Sequence, residues 1–149
     1  VTGFVETDSV PIPATHIDLL TRPICGVLTT MGRDGHPHSG LTRVGVDDGY
    51  ARFTTTLEGE EGRDLLANPK VSLLVVDPDD TARFIQIRGE VELVTDGAVD
   101  HVDVITGKHA RHPAYDGHIH PSPQQARETR VTCRIHARRV TLDAIHASR

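Results

Sequence analysis

The stretch TTTLEGEEGRDLLANPKVSLLV, residues 54–75, decides how the chain is folded. It reads as the end of a threonine-rich strand, a short helix over EEGRDLLANP and a second strand, VSLLVV. The helix opens on helix-favouring residues, offers Leu65 and Leu66 for burial, and stops at Asn68-Pro69, because the proline ring drives its predecessor out of the helical region. It is about two turns long. VSLLVV is a continuous apolar run, the pattern of a strand buried on both faces. A unit of this kind points the free N–H groups of a helix's first turn beyond a strand end, which suits an anion. Yet the residues there are Glu58, Glu60 and Glu61. Three readings stay open: an anion site, a former anion site, or an acidic first turn that the helix macrodipole favours by ~0.3–1 kcal/mol per residue with no ligand at all.

Upstream, ICGVLTTM is β-branched and apolar, RDGHP carries the Asp-Gly signal of a tight hairpin, and SGLTRVGV resumes with a period near two. A second turn, DDG at 47–49, leads into YARFTTT, so three antiparallel strands precede the helix. PATHIDLLTRP, set between prolines, predicts a brief helix that lids one end of a barrel. Residues 1–12 read as a loosely held arm, and 13–149 as a single domain. Downstream, DPDD turns the chain into RFIQIRGEVELV, a long strand with a bend expected at Gly89. Val99, Val102 and Ile105 set a helical period over residues 96–107. A histidine-rich, proline-studded loop spans 108–123, and RVTCRIHARRVTLDAI closes the chain as a last strand or bent strand pair. Six strands in meander order with short helices make a mainly β (α+β) protein and a small closed or nearly closed barrel.

With 149 residues, 37% of them hydrophobic and 25% charged, the chain has the composition of one soluble domain. Only 3% are aromatic, so aliphatic side chains fill the interior and leave no large cavity, and a ligand is expected on an outer surface or at an interface. A net charge of -5 argues against nucleic acid, whose affinity comes mainly from cations neutralising phosphates. Cys25 and Cys133 each lie among apolar strand residues, so both are expected to be buried and unlinked. No apolar run reaches the ~20 residues of a membrane helix, and no charged-then-apolar leader opens the chain, so a cytoplasmic location is expected. His36 and His38 form one H-x-H and His118 and His120 another, but neither pair has a third ligand at a telling spacing, and no metal site is assigned. No Ser-His-Asp order, phosphate loop or G-x-G-x-x-G is present, which leaves nucleophilic hydrolysis and dinucleotide binding unsupported.

Three motifs are more specific together than apart: G-x-P-H-S at 35–39, L-x-x-N-P-x-V-S-L at 65–73 and I-R-G-E-V-E at 87–92. Over roughly residues 13–142 the chain resembles the pyridoxamine 5'-phosphate oxidase-like split-barrel proteins, and most of all their actinobacterial branch that uses flavin or the deazaflavin coenzyme F-420. The resemblance implies a six-stranded antiparallel Greek-key split β-barrel with short flanking helices, a homodimer, and cofactor sites in the grooves between subunits. It implies an F-420- or FMN-dependent oxidoreductase that passes hydride to or from a small conjugated substrate, with no side chain needed as acid or base.

The cofactor-binding positions it points to are Arg43, Thr54, Thr55, Thr56, Glu61, Gly62 and Arg63. A lysine stands in the family where this chain has Glu61. Opposed unit charges about 4 Å apart interact by roughly 4 kcal/mol at an effective dielectric near 20, so the reversal weakens a phosphate site unless another cation compensates. Arg63 matches an arginine common in the family. Arg43 lies where the oxidases carry a phosphate-binding arginine and the deazaflavin branch often an aromatic. The acidic rim and the histidine-rich loop motivate a rival, a non-catalytic split-barrel binding protein that has lost the phosphate site and holds another small ligand, haem or metal.

Overall fold

The computed structural model describes residues 9–94 and 129–144. The elements are α1 (Asp18–Thr21), β1 (Cys25–Met31), β2 (Pro37–Arg43), β3 (Gly45–Asp47), β4 (Tyr50–Thr56), α2 (Glu60–Ala67), β5 (Lys70–Val76), β6 (Phe84–Val94) and β7 (Arg130–Leu142). The helix expected over 96–107 and the loop over 108–123 lie outside the described residues.

Both expected tight turns form. Gly35 has φ +87° in the β1–β2 hairpin, and Asp48 and Gly49 have φ of 54° and 82° between β3 and β4, two left-handed residues in a row as a two-residue hairpin loop requires. The strand count is seven where six were expected, because SGLTRVGV breaks at Val44 into β2 and β3. The reason is topological: the strands run β2-β1-β5-β6-β7-β4-β3, so β2 and β3 lie at opposite ends of one antiparallel sheet. Only Val44, fully buried, joins them, and the sheet thereby curls round on itself. The meander expectation is corrected in the same way. β5 pairs with β1 and not with β4, so α2 carries the chain across the barrel in a Greek-key crossover. Eight residues at 1.5 Å each span about 12 Å, enough for that crossing.

The interior is aliphatic, as the composition requires: Leu19, Leu20, Leu65, Leu73, Ile85, Ile87 and Val91 are fully buried, with Phe53 as the largest side chain. Two further expectations are corrected. β5 alternates buried and half-buried positions and so is covered on one face only, as in an antiparallel barrel wall. Leu65 is buried but Leu66, one step round the helix, is 58% exposed. The bend at Gly89 is a bulge, with a register shift between Arg88 and Gly89 that leaves Arg138 as the extra residue of β7. A Cβ at Gly89 would lie 2.1 Å from the His136 carbonyl oxygen, so the strands close here only around glycine.

Polar ties fasten the lid. Arg83 donates to both carboxylate oxygens of Asp18, to Asp77 and to the Thr15 carbonyl, joining α1 to the β5–β6 turn. His16 and Asp143, both buried, bond at 2.8 Å, and Asp143 also accepts the Phe84 N–H. Val10 donates its N–H to the Ala137 carbonyl at 2.7 Å, so the described end of the N-terminal segment lies along β7. No helix among the described residues is long and apolar enough to cross a membrane.

Candidate functional site

The three glutamates at the start of α2 each have a protein partner. Glu58 accepts the Thr129 N–H at 2.6 Å. Glu61, half-buried, accepts a hydrogen bond from the Thr55 hydroxyl, and burial pushes its carboxyl up, with the nearby Asp64 charge adding to the rise. Glu60 stays exposed and faces His38, whose Nδ1 lies 3.8 Å from Glu60 Oε1. Glu58 and Glu61 are thus turned to the protein while Glu60 stays exposed, and no side chain caps the helix at Gly59. First-turn N–H groups without a capping oxygen are the donors an anion uses.

Strand alternation separates the threonines. Thr55 is buried on the side of β4 that carries Ala51 and Phe53, whereas Thr54 and Thr56 are half-buried on the opposite face. The structure therefore joins Thr55 to Glu61 and leaves Thr54 and Thr56 as a separate hydroxyl pair. Gly62 is buried, and a Cβ there would meet the Thr56 carbonyl oxygen at 2.0 Å and Leu57 Cα at 2.8 Å, so only glycine lets α2 dock on the strand end. Arg63 is exposed and lowers the pKa of Glu58 through its charge, although the main cause there is the Thr129 N–H. Arg43, half-buried, ends β2 opposite Cys25. β2 and β4 come into contact, which brings the two strands of the candidate cleft together.

The outer face of β1 and β2 is open. Leu41 is 79% exposed and pairs with Val27, itself exposed, with Met31 further along the same face. Cys25 shares that face and is exposed, a correction to its expected burial, because a strand that packs one face on the core turns its alternate residues outward. Cys133 is buried as expected, and burial drives its thiol far above the usual range, with the Glu61 charge contributing.

Two arrangements escaped the sequence. On the barrel-facing side of β2, His38 converges with Glu60 and Asp64 above a cavity of about 130 Å³ that Leu28, Thr30 and Glu61 also line. His36 stands outside it, exposed, with its N–H on Asp34. The available signal was the spacing of Glu60 and Asp64, four apart and so on one helix face, but it names no partner strand. The second is a wider cleft of about 300 Å³ between Ser9–Ile12 and Asp48–Tyr50, floored by Ile135 and Ala137.

A seven-stranded antiparallel sheet curled so that β2 meets β4, with α2 packed against β1 and β4, is a split barrel. The chain belongs to the pyridoxamine 5'-phosphate oxidase family, whose model matches residues 12–141. It is 33% identical over 92 residues to the pyridoxine/pyridoxamine 5'-phosphate oxidase of Pseudomonas paraeruginosa, a match covering 61% of this chain and 38% of that one. It is 34% identical over 100 residues to the chloroplastic non-canonical heme oxygenase HOZ of Arabidopsis thaliana, covering 64% of this chain and 30% of that one. The matched part is thus about a third of the length of these curated relatives. Among solved structures an F420 reductase superposes with a TM-score of 0.73 at 28% identity, covering 87% of this chain and 98% of that one.

Proposed function

We propose that the protein binds a flavin-type cofactor, coenzyme F-420 in preference to FMN, in the opening between β2, β4 and the start of α2, and works as an oxidoreductase on a small conjugated molecule. The observation that carries this is the start of α2: an uncapped first turn, seated through Gly62 against β4, from which Glu58 and Glu61 are bonded away to Thr129 and Thr55 while Glu60 reaches toward His38. These residues fit a phosphate-bearing cofactor despite the acidic sequence. The likeness to an F420 reductase along nearly its whole length supports the deazaflavin.

When bound, such a cofactor supplies the hydride chemistry itself. The chain's own residues bind and orient. Arg43 and Arg63 furnish the positive charge, Thr54 and Thr56 donate hydroxyls, and the Thr55–Glu61 bond fixes the helix start. The exposed Val27, Leu41 and Met31 face is the surface a second copy covers, so the proposed unit is a homodimer with water excluded from the cofactor ring.

Titration of the purified protein with F-420 and with FMN, following cofactor fluorescence, tests this. Saturable binding of one cofactor per subunit is expected, tighter for F-420. Absence of binding by both, in a folded protein, rejects it. The likeness to the heme oxygenase of Arabidopsis supports a second reading, a split-barrel protein that binds haem in place of a flavin, and a parallel titration with hemin separates the two.

A further inference from the structure

We infer that His38, Glu60 and Asp64 form a binding site for one divalent cation of the mixed nitrogen and oxygen type, such as Mn²⁺ or Zn²⁺. Their ligand atoms all lie within 4.8 Å of one another, so shifts of roughly 0.5–1 Å per ligand atom, within the reach of side-chain rotation, bring an imidazole nitrogen and two carboxylate oxygens onto one ion at the usual ~2.0–2.2 Å. They come from two separate elements, β2 and α2, which converge only through the crossover.

The surroundings are those of a supported ligand set. Asp34 Oδ1 lies 3.3 Å from His38 Nε2 and accepts its hydrogen, leaving the Nδ1 lone pair to face Glu60 and Asp64. A carboxylate behind a ligating imidazole fixes its tautomer and orientation in this way. Gly32 makes the room: a Cβ there would come within 2.4 Å of His38 Nε2 and 2.5 Å of Asp34 Oδ1. Arg33 holds buried Asp64 through Oδ1 alone, with its Nε at 2.9 Å and its backbone N–H at 3.2 Å, which keeps Oδ2 for the ion. Three carboxyl groups line the cavity, those of Glu60, Glu61 and Asp64, with Asp34 behind His38, and the Arg33 guanidinium bonded to Asp64 is the cation set against them. A bound dication offsets that excess. One imidazole with two carboxylates suits Mn²⁺ or Zn²⁺ better than Mg²⁺, which prefers oxygen ligands and water.

Calorimetric titration of the full chain with Mn²⁺, Zn²⁺ and Mg²⁺, each without any flavin, tests the site, and its result is independent of the cofactor proposal. Expected is one ion per chain, with Mn²⁺ and Zn²⁺ tighter than Mg²⁺. His38→Ala and Glu60→Gln should each weaken binding about ten-fold or more, and Asp34→Asn by about ten-fold through the imidazole. His38 and Glu60 side chains are 37% and 71% exposed, so neither change removes core packing. His36→Ala should leave affinity unchanged. No binding up to about 1 mM, or binding that survives both His38→Ala and Glu60→Gln, overturns the site.

Discussion

Glu61 and Thr55 are bonded to each other on the barrel side of α2, and the Glu61 charge adds to the burial that raises the Cys133 thiol. Glu61, where the family resemblance implies a lysine, therefore does not project from the helix start. Its charge still lies behind the proposed phosphate position. Glu61→Lys moves two charge units toward a dianion and should tighten F-420 and FMN by about ten-fold or more, while costing stability through the lost Thr55 bond. Cofactor fluorescence titrations at two salt concentrations measure this. Unchanged affinity with unchanged salt dependence would put the phosphate away from α2.

Leu41 is the most exposed large hydrophobic among the described residues, and it sits beside Val27 on the face assigned to the partner copy. Leu41→Asp should turn a dimer into a monomer in sedimentation and abolish cofactor binding with it. A wild-type monomer at micromolar concentration would remove the interface and the two-subunit groove together.

The two thiols should behave differently. Cys25 is exposed on the outer face of β1, the face assigned to the partner copy, so it should react promptly with a thiol reagent in the Leu41→Asp monomer and more slowly in the dimer. Cys133 is buried and held as the neutral thiol, so its labelling should track unfolding. Equal rates for both would contradict the strand orientation.

Arg83 anchors α1 to the β5–β6 turn, and Arg83→Ala should lower Tm by about 5 °C or more near neutral pH. The carboxyls of Asp18 and Asp77 lie below their usual range, chiefly through the Arg83 hydrogen bond for Asp18 and the Asp79 N–H for Asp77, with Arg83 also acting on the latter. A lowered folded pKa gives stability that is present above the unfolded value of 3.8 and lost as pH falls through the folded one. The gap in Tm between wild type and variant should hold from neutral pH to about 4 and narrow below it. A gap that widens on acidification would show that Arg83 acts by packing.

Much of this was legible in local signals. Asp34-Gly35 and Asp48-Gly49 mark their turns, Asn68-Pro69 ends α2, and Gly89 marks the bulge, because each is a backbone constraint carried by the residues themselves. What was not legible depends on strands meeting from afar. Nothing in SGLTRVGV shows that Val44 bridges opposite ends of the sheet, and nothing in TTTLEGEEG shows that Thr55 faces inward to take up Glu61. Cys25 turns outward despite its apolar neighbours, because an apolar neighbourhood in sequence does not say which of two alternating faces is buried. Sequence spacing pairs His38 with His36, whereas its partners in space are Glu60 and Asp64.

Hydrogen exchange of the wild-type protein with and without saturating F-420 tests the placement of the cofactor most directly. Added protection should be confined to the segments covering residues 39–43 and 54–63, the two walls of the opening and the helix start. Protection at residues 9–12 and 48–50 instead, the rim of the wider cleft, would contradict it.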